Sequence, residues 1–281
     1  MSGFDPAWLD LREPADGAAR ALHVLDAVAG GFARDAETTI ADLGAGSGST
    51  LRAVAPRLGA RQRWRLIDHD PALLAHARAR LAEWADEARD EGDELRLAKD
   101  GRSIAVETLV ADLSAEPLPE AARSADLVTA SALFDLVGEA WLQRFVGALK
   151  AARRPLYAAL SYDGATAFRP AHPSDLAVIA AFNRHQQSDK GFGAALGPDA
   201  AETLARLAQD RGFATVAATS PWRLGYAEAE LTAALVAGMA QAVAELPDAP
   251  AGLDGWLAFR TEFAGVRATV GHLDLYLAAP D

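Results

Sequence analysis

The sequence predicts an α/β protein: a largely parallel sheet with helices on both faces. Three observations carry this. Short β-branched runs alternate with longer helical patterns along the chain, as parallel strands joined by crossover helices require. A glycine-rich turn, Gly44-Ala45-Gly46-Ser47-Gly48, separates the first run from the helix after it. The chain has 281 residues, 51% hydrophobic and 23% charged, enough to bury a sizeable core without staples.

Seven runs read as strands. Thr38 to Asp42 is the first and Trp64 to Asp68 the second. Ala105 to Ala111 is the third, entered from Leu95-Arg96-Leu97 through a hairpin turn at Asp100-Gly101. Asp126 to Ala130, Leu156 to Ser161, Phe213 to Thr219 and Thr269 to Leu277 follow. Between them, Pro71 opens a helix with Leu73, Leu74, Ala77 and Leu81 at helical spacing, and Asp70 stands at its N-cap. Gly138 to Leu149 places Trp141, Leu142, Phe145, Val146 and Leu149 on one face, and Pro198-Asp199 opens a helix that stops at Gly212. Residues 1–36 read as an N-terminal helical arm. Residues 164–197 and 224–265 read as insertions that cap one edge of the sheet.

Composition excludes several functions. There is no cysteine, so disulfides, thiolate zinc sites, iron–sulfur clusters and a cysteine nucleophile are ruled out. The net charge of −12 argues against a surface that tracks nucleic-acid phosphates; Arg57, Arg61, Arg63 and Arg65 read as a solvated connection. No run reaches the roughly 20 apolar residues of a membrane span, and Met1 to Leu11 has no signal-peptide pattern. A cytoplasmic protein with no membrane or nucleic-acid partner is expected. No spacing of His, Asp and Glu suggests a metal, and neither H-E-x-x-H nor a G-x-S-x-G elbow occurs.

Glycines at a strand-to-helix turn let the backbone approach a ligand closely. Counting from Gly44, the dinucleotide fingerprint wants a small residue where Ser49 stands. The pattern present is acid-x-G-x-G-x-G, with Asp42 two places before Gly44. It is followed by Leu66-Ile67-Asp68-His69-Asp70-Pro71 and by Val110-Ala111-Asp112-Leu113, each acid at the end of a strand, where open α/β sheets bind ligands. This set resembles the motifs of class I S-adenosylmethionine-dependent methyltransferases over about residues 38–163 and, more loosely, 198–280. The resemblance implies a Rossmann-like seven-stranded methyltransferase sheet in a single domain over 1–281, with the arm and both cap insertions as additions.

The resemblance also implies a site. Gly44, Ala45, Gly46 and Gly48 would receive the methionine end of S-adenosyl-L-methionine, with Asp42 facing its ammonium. Asp68, flanked by His69, would accept the ribose hydroxyls. Asp112 and the Leu113 N–H would clamp the adenine, although Asp112 also reads as a strand-end turn residue. Ser131, which closes the fourth strand, completes the cofactor-binding set with His69. The following Ala132 to Val137 lacks the acid/Asn-Pro-Pro-aromatic motif of amino-directed nucleic-acid enzymes. Asp135 would face the methyl group or cap the next helix. Arg12 or Arg20 of the arm could reach the cofactor carboxylate.

A hydroxyl acceptor needs a base near neutral pH. His185, in the polar stretch Asn183 to Gly193, is the first candidate, Asp163 the second, and Asp135 completes the catalytic set. His272 reads as structural. The expected function is methyl transfer to oxygen or nitrogen of a small molecule. An NAD(P)-dependent oxidoreductase, a non-catalytic S-adenosylmethionine-binding scaffold, and a protein or RNA methyltransferase stand as alternatives.

Overall fold

The computed structural model describes residues 5–32 and 37–280; residues 1–4 and 33–36 of the expected arm, and residue 281, lie outside them. In chain order the strands are β1 (Thr38–Leu43), β2 (Arg61–Asp68), β3 (Glu87–Asp90), β4 (Glu94–Lys99), β5 (Arg102–Val110), β6 (Leu127–Ser131), β7 (Leu156–Arg169), β8 (Ala214–Thr219), β9 (Trp222–Leu224) and β10 (Arg267–Ala278). They form one sheet in the order β3-β4-β5-β2-β1-β6-β7-β10-β8, with β9 also on β10. The five strands from β5 to β7 run parallel. Ten strands replace the seven expected, because β3, β4 and β9 extend the sheet at its two sides.

The helices are α1 (Pro6–Ala19), α2 (Leu22–Phe32), α3 (Ser49–Val54), α4 (Pro71–Trp84), α5 (Glu120–Arg123), α6 (Glu139–Ala152), α7 (Asp175–Gln186), α8 (Ala200–Gln209), α9 (Ala229–Ala244) and α10 (Leu253–Glu262). Local chemistry sets several boundaries. Asp70 caps α4 by accepting from the Ala72 N–H at 2.8 Å, with Pro71 in the first turn. The β4–β5 hairpin turns on Asp100 and Gly101, both at positive φ, as a tight two-residue turn demands. No described helix is long and apolar enough to cross a membrane.

Alternation along the central strands divides the core. Leu43, Ile67, Val128, Ala130 and Ala158 meet α6 and α8 on one face. Ile40, Leu66, Leu127, Tyr157 and Ala159 meet α2, α3 and α4 on the other. A third cluster joins α7, α9 and α10 to the outer part of β7, β9 and β10, through Phe168, Val178, Trp222, Met239 and Trp256.

Two expectations change. The insertion expected over 164–197 begins as sheet, because β7 continues to Arg169 and pairs antiparallel with Arg267–Val270 of β10. The basic run at 57–65 is half strand: Arg63 meets Glu94 and Glu107 at 2.7 and 3.2 Å across the sheet.

Candidate functional site

The ends of β5, β2, β1 and β6, with the segments that follow them, wall a cleft of about 410 Å³, within the range of small-molecule sites. Its floor is the turn after β1. Gly44, Gly46 and Gly48 have φ of 62°, 51° and 76°, a region costly to residues with a Cβ. Hydrogen bonds from Ala45 N–H to Ile67 O at 3.1 Å and from Gly46 N–H to an Asp68 carboxylate oxygen at 2.9 Å tie this turn to β2.

Gly44, Ala45 and Gly46 line the cleft, and Gly48 does not. A Cβ on Gly48 would lie 3.5–3.6 Å from Ala77, Leu81 and Leu66, so this glycine serves the packing of α3 on α4 and β2.

Each strand-end acid has a different environment. Asp68 is buried and lines the cleft; its second oxygen accepts from the Asp70 N–H at 3.1 Å and lies 3.1 Å from His69 Nδ1. Asp112 is exposed and accepts from the Ser114 N–H and hydroxyl at 2.8 and 2.6 Å. These two donors hold its carboxyl below the usual carboxylate range. It therefore is the turn residue and, at the same time, part of the cleft wall. Beside it, the Leu113 carbonyl is fixed by the Trp141 indole N–H at 2.6 Å.

Asp42 lies one layer behind the wall, fully buried. One carboxylate oxygen accepts from the Thr129 hydroxyl at 2.6 Å, and the other has no partner. Burial pushes its pKa up to about 7, against the pull of the Thr129 hydroxyl and the Arg20 guanidinium.

Helix α1 forms the roof. Leu9, Arg12 and Asp16 share one helical face and line the cleft. Arg12 donates to Asp16 at 2.8 Å and lies over the Trp222 ring at 5.2 Å, while Asp16 also accepts from the Trp222 indole at 2.9 Å. Glu13 pairs with Arg52 of α3, and Asp10 with His76 of α4. Arg20 is buried behind this wall; it donates to Ser131 Oγ at 3.1 Å and Tyr157 Oη at 3.3 Å, and Ser131 meets Thr50 at 3.0 Å. Ser131 and Thr50 line the cleft, and Phe192 enters it from the loop after α7.

The expected catalytic residues separate. His185 does not line the cleft: its Nε2 sits 3.0 Å from Glu245, the residue that ends α9. The polar stretch around it does reach the cleft, through Phe192, and Asn183 bonds to Tyr162 and Gly164 of β7. His185 itself is turned away toward Glu245, and the sequence does not tell which face of α7 meets the sheet. Asp163 also stays outside the cleft lining, accepting from the Ala165 N–H at 2.9 Å with its carboxylate against the Gly271 backbone. Asp135 is not in the cleft lining either, although its neighbour Leu136 is; its Oδ1 is buried without a partner, and burial pushes its pKa up to about 6. His272 is buried between Trp222 and Tyr162, and burial lowers its pKa to about 4. Sequence reasoning missed Leu9, Asp16, Thr50 and Phe192. The 9-12-16 spacing on α1 is a signal that could have found two of them. Among the described residues no group of His, Asp and Glu could hold a metal.

No protein-family model matches the sequence, and no curated protein does. Solved structures do match. A cyclopropane-fatty-acyl-phospholipid synthase-like protein from Lactobacillus casei ATCC 334 aligns at 14% identity over 96% of this chain and 94% of that one, with a TM-score of 0.51. A candidate methyltransferase from Bacillus halodurans C-125 aligns at 11% identity over 92% and 99%, with a TM-score of 0.50. At these identities the likeness concerns the fold, which is that of the class I methyltransferases.

Proposed function

We propose that this chain is a methyltransferase that uses S-adenosyl-L-methionine and methylates an oxygen or nitrogen of a small-molecule acceptor. The observation that carries the reading is the cleft at the ends of the parallel strands, where a glycine turn, Asp68 and Asp112 share one wall in front of the orphaned buried oxygen of Asp42. That oxygen fits the cofactor: a buried carboxylate with an unmade hydrogen bond is stabilised by a donor-rich ammonium.

When bound, the cofactor supplies a methyl group on a positively charged sulfur. The chain's own residues orient it and keep water out. Asp68 Oδ2 already accepts from Gly46 and keeps a lone pair for a ribose hydroxyl, so turn and nucleoside are aligned by one carboxylate. Asp112 and the Leu113 N–H hold the adenine edge, with Trp141 fixing the Leu113 carbonyl. Arg12 faces the cofactor carboxylate from the roof. Leu9, Leu133 and Phe192 in the walls exclude water, which favours a transition state in which charge is being lost. Asp135 takes the acceptor's proton where the acceptor is a hydroxyl, and its raised pKa suits that task.

Titration calorimetry with S-adenosylhomocysteine and, separately, NADH tests the reading. Binding of the first and not the second is expected. Asp68→Ala should weaken S-adenosylhomocysteine binding by about 1–3 kcal/mol, the range for hydrogen bonds left unmade. NADH binding with no response to S-adenosylhomocysteine would refute the assignment.

A further inference from the structure

A second feature lies away from the cleft, on the three-stranded part of the sheet formed by outer β7, β9 and the start of β10. Alternation there turns Phe168, Trp222, Leu224, Ala268 and Val270 into the third core cluster. It turns Arg169, Arg223 and Arg267 outward, all three exposed. The register places Arg267 directly opposite Arg169, and Arg223 opposite Thr269, two residues along β10 from Arg267. Like charges directly opposite each other destabilise a sheet.

Several other sheet arginines are neutralised, although Arg89 on β3, opposite Arg96 on β4, has no described carboxylate within 4.0 Å. Arg63 on β2 meets Glu94 and Glu107 from β4 and β5, and Arg96 meets Glu91 and Glu94. No described carboxylate pairs within 4.0 Å with Arg169, Arg223 or Arg267. Glu228, beside this face, is committed to the Gly225 N–H at 2.7 Å. The three guanidinium groups thus stand unneutralised in a chain whose acids outnumber its bases by 39 to 27.

Two adjoining clefts of about 480 and 300 Å³ share Ala167, Arg169 and Arg267 in their linings, and the smaller adds Arg223. The larger is walled by Tyr226 and Phe263, which are 71% and 45% exposed. Tyr226 is seated on Gly265, where a Cβ would fall 2.5 Å from the ring, and the Arg267 guanidinium lies 5.8 Å from the ring centroid. The face therefore combines planar multi-donor cations with an aromatic flank. Guanidinium forks match the oxygens of a phosphate group, which can take two parallel bonds from one arginine and further bonds from its neighbours.

We propose that Arg169, Arg223 and Arg267 form a binding site for a phosphate group, carried either by a free phosphoryl compound or by a phospholipid headgroup. The site shares no residue with the cleft described above and does not depend on the methyltransferase reading. The net charge of −12 disfavours non-specific association with a phosphate-bearing partner, so binding here would depend on this local cluster.

The test uses the full chain and two probes. Inorganic pyrophosphate is titrated calorimetrically. Vesicles of phosphatidylcholine, alone or mixed with phosphatidylglycerol, are co-sedimented with the protein. The triple variant Arg169→Gln/Arg223→Gln/Arg267→Gln is compared with a charge-matched control, Arg89→Gln/Arg144→Gln/Arg206→Gln. Relief of the opposed pair predicts that the triple variant melts at or above the wild-type temperature. Binding of either probe by the wild type, weakened by about tenfold or more in the triple variant and retained in the control, supports the site. Pyrophosphate binding then identifies a free phosphoryl ligand, and sedimentation with only the anionic vesicles identifies a headgroup. Absence of binding to both probes, or equal losses in the triple variant and the control, overturns the proposal.

Discussion

Asp42 makes the stability of the fold depend on solution pH. Its pKa in the folded chain, about 7, lies above the usual 3.8. Between those values the folded chain holds a proton that the unfolded chain has released. Its contribution to stability therefore falls as pH rises through this window, and the full penalty stands above about pH 7. Asp42→Asn is expected to raise the stability of the ligand-free protein at pH 8 by about 1–3 kcal/mol, and by less at pH 5, in denaturant melts. The same change should abolish the strengthening of S-adenosylhomocysteine binding between pH 6 and pH 8 that the ionised carboxylate gives the wild type. Asp135 and His185 separate in a second experiment, which follows methyl transfer from labelled cofactor into metabolite extracts. Wild-type turnover should rise with pH through about 6 as Asp135 ionises. Asp135→Asn should lose that limb and about 100-fold in rate, while His185→Ala, which removes only the contact to Glu245, should leave turnover unchanged. The strand-end acids are legible in the sequence because a strand end, a glycine turn and a following helix leave marks in residue order. The burial of Asp42 behind the wall is not, because strands covered on both faces show no polar alternation. His185 misleads for a related reason: the stretch reaches the cleft through Phe192, but a polar run does not show which of its side chains turn inward and which, like His185, turn to a neighbouring helix.

Among the elements, α1 does the most for the cleft, through Leu9, Arg12 and Asp16 on one helical face. Its seat depends on Gly46, where a Cβ would stand 3.3 Å from Leu9 Cδ1. Gly46→Ala forces a side chain into a φ of 51° and is expected to cost about 1–2 kcal/mol of stability. It should also weaken S-adenosylhomocysteine binding, because a shift of the strained turn displaces the backbone N–H that fixes Asp68; thermal melts and calorimetry read the two effects. The central strands and α4, α6 and α8 are legible from hydrophobic period and turn chemistry. The outer half of β7 is not. Asp163-Gly164-Ala165-Thr166-Ala167 has little β-propensity, and its strand geometry comes from the antiparallel partner in β10, about a hundred residues later in the chain.

The whole molecule is organised around that late partner. β10 pairs with β7, β8 and β9, and neither β8 nor β9 hydrogen-bonds to any other described strand. During synthesis the sheet through β7 can assemble as its pieces emerge, each strand finding a neighbour already made or, for β3, in the strand that follows at once. β8 and β9 emerge with their edges unsatisfied and wait. Chains stalled on the ribosome before Arg267 are therefore expected to protect the β1–β7 region from protease while leaving residues 214–224 open to cleavage. Release of β10 should protect both at once; equal protection of 214–224 in the stalled chain would contradict this order. In the cell, an exposed strand edge is what chaperones and aggregation compete for. The interval between translating Ala214 and Ala278 is the period in which this protein is most vulnerable.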